Sequence, residues 1–174
     1  MEIVLSALAD LSSASTPHAC LADEPIKSIG NLQKEVFTPE SVLPAGADST
    51  VSTNPYTGES GPTRKGTVAA TLNNVALLNT LLSEKSSSSD STKVQEIIEA
   101  ITSLIPSLRV IGVFDLFTPE EWLSSETQPG RVLVTVLYLQ KYPQDINSNI
   151  KKRLLQILNQ TKVKALSESI AEAL

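Results

Sequence analysis

Gly66 to Ser83, GTVAATLNNVALLNTLLS, runs eighteen residues without a charge in a chain that is 19% charged. Such a stretch has to be covered by other parts of the protein, and it constrains the fold more than any other. On a period of 3.6, Val68, Leu72, Val75, Leu78 and Leu82 share one side with Ala69 and Ala76. Leu77 and Leu81 fall opposite, which predicts a central helix buried on most of its circumference. Asn73, Asn74 and Asn79 must find hydrogen-bond partners wherever that helix is buried. A membrane span is a poor alternative, because three Asn and three Thr in eighteen residues are costly in hydrocarbon.

The 174 residues suffice for a substantial core. Three Phe, three Tyr and one Trp make that core aliphatic and leave few platforms for stacking bases. The net charge of −5 divides into −6 over residues 1–61, −2 over 62–125 and +3 over 126–174. The acidic balance argues against nucleic acid as a partner. The single Cys20 excludes an intramolecular disulfide and fits a reducing compartment. Met1 to Ser15 lacks a basic leader region, so a cytoplasmic, membrane-free protein is expected.

Along the chain, residues 1–25 are expected as an N-terminal arm or short helix, and 26–105 as a first helical unit. That unit contains a long polar loop at 45–65, rich in Gly, Pro, Ser and Thr. Residues 106–174 form a second helical unit. Ser83–Asp90 is expected as a linker, with Thr92 and Gln95 at capping-box spacing after it. Val94, Ile97, Ile98, Ile101, Leu104 and Ile105 make an apolar stripe that Pro106 should end. Asn147–Asn159 and Thr161–Leu174 are expected as amphipathic helices.

The two units resemble each other. Glu35–Leu43 is EVFTPESVL and Asp115–Leu123 is DLFTPEEWL. Downstream, Gly66–Leu72 aligns with Gly130–Val136, and Ile97, Ile98 and Ile101 with Leu154, Leu155 and Leu158. Three blocks in one order predict an internal duplication, hence an all-α fold of two related helical units around one aliphatic core. The alternative is α+β, with strands near 109–117 and 131–140.

Candidate chemistry is sparse. Arg64, Lys65, Gly66 and Thr67 lie where a glycine-rich loop opens onto the central helix, a setting that suits a small anion. It is not a phosphate-binding loop, since Thr67 stands where lysine is required. Lys151, Lys152 and Arg153 form a basic end that a solvated helix face explains first and an acidic protein partner second. His18 and Cys20 are too few for a zinc site and lie in a proline-flanked segment. Glu120 and Glu121 fit the first turn of a helix, and Trp122 fits a core anchor better than a partner anchor. No catalytic constellation, metal set or cofactor fingerprint is present. The expectation is a non-catalytic protein-interaction or adaptor protein, possibly a homo-oligomer, acting through a helical surface and the 45–65 loop. The alternative is a regulatory protein binding a small anion at Arg64–Thr67.

Overall fold

In the computed structural model, residues 36–42, 49–83, 88–124 and 128–174 are described, all within one unit, Lys34–Leu174. Expectations for the N-terminal arm, His18, Cys20 and residues 84–87 lie outside the described residues. In chain order the elements are α1 (Pro39–Val42), β1 (Ser49–Thr53), β2 (Ser60–Arg64), α2 (Thr67–Ser83) and α3 (Ser88–Val110). They continue with α4 (Val113–Leu116), α5 (Pro119–Leu123), α6 (Pro129–Lys141), a 3₁₀ turn (Pro143–Asp145), α7 (Ser148–Gln160) and α8 (Lys164–Ala173). The described residues are therefore mostly helical, with one small sheet.

Helix α6 is the buried centre. Every residue from Val132 to Leu139 is buried, and α2, α3, α5 and α8 all pack against it. The run proposed as a strand near 131–140 is thus a helix, and the one near 109–117 divides between α3 and α4. A uniformly buried run carries no visible period, so its apolar pattern could not distinguish the two.

Helix α2 meets α6 through a different face from the one expected. Ala70, Thr71, Asn74, Leu77, Leu78 and Leu81 are buried, whereas Val68 and Leu72 are exposed, Leu72 at 59%. The polar residues on the buried face are satisfied locally. Thr71 Oγ1 donates to the Thr67 carbonyl at 2.8 Å, and the Asn74 amide bridges the N–H and C=O of Phe37 at 2.9 Å each. Asn79 Oδ1 accepts from the Gly130 N–H at 2.8 Å, satisfying one free donor at the start of α6. Gly130 is needed there because a Cβ would lie 2.7 Å from the Val75 carbonyl oxygen.

Two boundary expectations also change. Helix α3 begins at Ser88, so Thr92 lies inside it and caps nothing; Gln95 bonds Glu99 instead. It also continues through Pro106 to Val110, with Ile105 and Leu108 almost completely buried. Their burial, at about 1.5–3 kcal/mol per large side chain, offsets the roughly 3 kcal/mol that an interior proline costs.

The polar stretch expected as an open loop is a β-hairpin. β1 and β2 pair antiparallel in the register Ser49↔Arg64, Thr50↔Thr63, Val51↔Pro62, Ser52↔Gly61 and Thr53↔Ser60. Its inner face is a hydroxyl cluster, with Thr63 Oγ1 3.2 Å from Thr50 Oγ1 and 2.6 Å from Ser52 Oγ. Local composition pointed to a loop because no residue facing the helices is a large apolar one. β2 lies against α3.

Candidate functional site

The loop-to-helix junction at Arg64–Thr67 keeps its cations outside. Arg64 and Lys65 are exposed, and Arg64 forms an ion pair with Glu40 of α1. The Glu40 carboxyl is held below its ordinary value by a backbone hydrogen bond first, with Thr38 and Arg64 adding to it against desolvation. Gly66 takes a left-handed φ of 87° that turns the chain into α2, and the Ala70 N–H returns to its carbonyl at 2.8 Å. Thr67 is buried, and its hydroxyl donates to the Arg64 carbonyl at 2.8 Å. The four residues are brought together as a helix entry.

In the basic triplet, Lys151 and Lys152 are exposed on α7. Arg153 turns inward, and its Nε donates to the Leu123 carbonyl at 3.0 Å, capping α5. Helix α5 begins with a capping box between Thr118 and Glu121, which accounts for Glu121. Glu120 accepts from the Asn147 side chain at 2.6 Å. Trp122 is half-buried, edge-on to Phe114 at 5.6 Å and tilted against Phe117 at 6.2 Å.

A polar network not anticipated from the sequence centres on Arg109, near the end of α3. Its Nε donates to Glu59 at 2.8 Å, and its Nη1 donates to Asp145 at 2.7 Å and to the Tyr138 hydroxyl at 2.8 Å. Its guanidinium lies 4.3 Å from the centre of the Tyr142 ring. Desolvation opposes the charge on Arg109, but the hydrogen bonds to Glu59 and Asp145 outweigh it and hold the group protonated. Tyr138 donates to Asp145 and stacks on Phe114 at 3.8 Å. Burial, then the hydrogen bond and charge of Asp145, push the Tyr138 phenol above its ordinary value. Asn54, almost wholly buried, donates to the Arg109 carbonyl and to Asp115 of α4, each at 2.8 Å. Its Oδ1 accepts from the Tyr56 and Thr57 N–H groups.

Asn54, Arg109, Phe114, Asp115, Tyr138 and Asp145 border a cavity of about 220 Å³, below the roughly 300–1,000 Å³ of common small-molecule pockets. The Tyr138 phenol keeps its proton at neutral pH and serves there as a hydrogen-bond donor to Asp145. Among the described residues no buried side-chain nitrogen or oxygen lacks a partner, and no three or more acidic, histidine or cysteine side chains cluster as metal ligands. What the network does chemically is fasten the hairpin to α3, α4, α6 and the 3₁₀ turn. One signal was visible: Arg109 is the only charge between Glu99 and Asp115, inside an apolar run.

A second concavity among the described residues is a groove of about 980 Å³ walled by α3, α6 and α8. Leu82, Val94, Ile98, Leu137 and Val163 line it, and Lys141, Lys162, Lys164, Glu99, Glu168 and Glu172 stand around them. Lys162 and Lys164 belong to the basic end of the sequence; the groove as a whole joins segments too distant for any local pattern to reveal.

Fold and groove together define a mostly helical domain braced by a hairpin. The chain belongs to the family described as Domain of unknown function (DUF7709), which matches residues 56–142. No curated protein and no solved structure matched the chain. No helix among the described residues is long and apolar enough to cross a membrane.

Proposed function

We propose that the protein is a non-catalytic adaptor that binds another protein through the groove between α3, α6 and α8. The observation that carries this reading is the groove itself, whose lining combines Leu82, Val94, Ile98, Leu137 and Val163 with charges of both signs. An amphipathic helix of a partner fits such a surface, laying its apolar face inward and pairing its flanks with the charges.

The test is capture from native extract with the parent protein and with Ile98→Glu, which places a charge in the groove. A stoichiometric partner recovered by the parent and lost by the variant, at an unchanged urea midpoint, is the expected result. Equal recovery by both would remove the groove from the interface. A thermal shift with phosphorylated metabolites, abolished by Arg64→Glu/Lys65→Glu, would favour the anion-binding reading at Arg64–Thr67 instead.

The same reading includes an internal duplication. Thr38 and Ser41 exchange side-chain and backbone hydrogen bonds as Thr118 and Glu121 do, α1 packs on α2 as α5 packs on α6, and α2 packs on α6. It requires divergence at the leading phenylalanines, since the Phe37 backbone is held by Asn74 whereas Phe117 is 49% exposed beside Trp122.

A further inference from the structure

We propose that β1 is a self-recognition edge, pairing antiparallel with β1 of a second copy about a two-fold axis at Val51. Among the described residues the sheet has only two strands, so one edge of β1 has no partner strand. The hairpin fixes which backbone groups that edge presents. The Asn54 N–H donates to the Glu59 carbonyl at 2.8 Å, so by alternation Ser52 and Thr50 also bond inward to β2. Ser49, Val51 and Thr53 then direct their N–H and C=O groups outward. Pro62, which has no N–H to offer, stands opposite Val51 in agreement with this phase.

The sequence of the edge suits a two-fold. STVST reads as hydroxyl, hydroxyl, valine, hydroxyl, hydroxyl from either end. Centring the axis on Val51 pairs Val51 with its own copy and Ser49 with Thr53, which completes about six backbone hydrogen bonds. Edge strands are usually blunted by charge, proline or a bulge; β1 contains neither charge nor proline. Val51 is 79% exposed, the highest value among the large hydrophobic residues that are described. Its face is opposite the Thr50–Ser52–Thr63 hydroxyl cluster, so pairing would align Pro62, Val51 and their two copies in one apolar strip. A five-residue edge is small against the roughly 1,200–2,000 Å² of stable interfaces, so the dimer is reversible and concentration-dependent.

Sedimentation velocity of the full chain from micromolar to millimolar concentration tests this independently of the groove. The parent should shift towards a dimer as concentration rises. Val51→Lys, which sets two like charges face to face, should remain monomeric with an unchanged urea midpoint. Val51→Pro removes the outward N–H and should also remain monomeric. In a Cys20→Ser background, Val51→Cys should cross-link to itself under mild oxidation, because paired Cα atoms there lie about 5.5 Å apart. A parent that stays monomeric throughout, or a dimer that Val51→Lys leaves undiminished, would overturn the proposal.

Discussion

Asn54 shows how much one short polar side chain holds in place. Its amide group donates to the Arg109 carbonyl and to Asp115, while its oxygen shapes the hairpin turn through Tyr56 and Thr57. At 1% exposure, none of these partners is replaced by water without opening the structure. Asn54→Ala should therefore cost about 1–3 kcal/mol for each polar group left unsatisfied, measured as a lower urea midpoint. The same substitution at Asn73, which is exposed, should leave the midpoint nearly unchanged. Gly130 makes the complementary point about space. With the Val75 carbonyl where its Cβ would be, Gly130→Ala should force α2 and α6 apart and cost about 1–3 kcal/mol. A neutral outcome would mean that the two helices are not held at this approach.

Among the elements, α2 separates what its pattern reveals from what it conceals. The uncharged run foretold a helix against the core, and α2 is one, packed on α1, α3 and α6. Which face is inside was concealed because apolar residues occupy the whole circumference. The choice falls to Thr67, Thr71 and Asn74, whose side chains find backbone partners and so can be buried. Leu78→Ala, at a fully buried position, should cost roughly 2–5 kcal/mol. Leu72→Ala should shift stability by no more than about 0.5 kcal/mol, despite its apparent place on the buried stripe. Urea denaturation of the two variants compares them directly, and equal costs would contradict the orientation of α2. The start of the short helix α5 was legible in the FTPE segment and the acids of its first turn, because the partners of those signals lie within one turn. Arg109 was not, because its partners Glu59, Tyr138 and Asp145 come from three other parts of the chain.

At the scale of the whole molecule, that long-range network links stability to alkaline pH. Tyr138 and Tyr142 both lie above the ordinary phenol value of 10.0 in the folded protein, burial being the first cause for each. Below that value both phenols keep their protons in the folded and unfolded chains, and stability is flat with respect to them. Above it, the unfolded chain releases the protons while the folded one retains them. The unfolded state then binds fewer protons, so stability falls as pH rises. The loss continues until the pH passes the raised folded values. Urea midpoints taken from about pH 8 to about pH 11 should therefore decline most steeply above the ordinary phenol value. Tyr138→Phe removes one of the two groups and its hydrogen bond to Asp145. It should lower stability at neutral pH and, at the same time, flatten the alkaline decline. A variant that loses stability at neutral pH but keeps the parent's alkaline slope would place the origin of that slope elsewhere than in the Arg109–Tyr138–Asp145 lock.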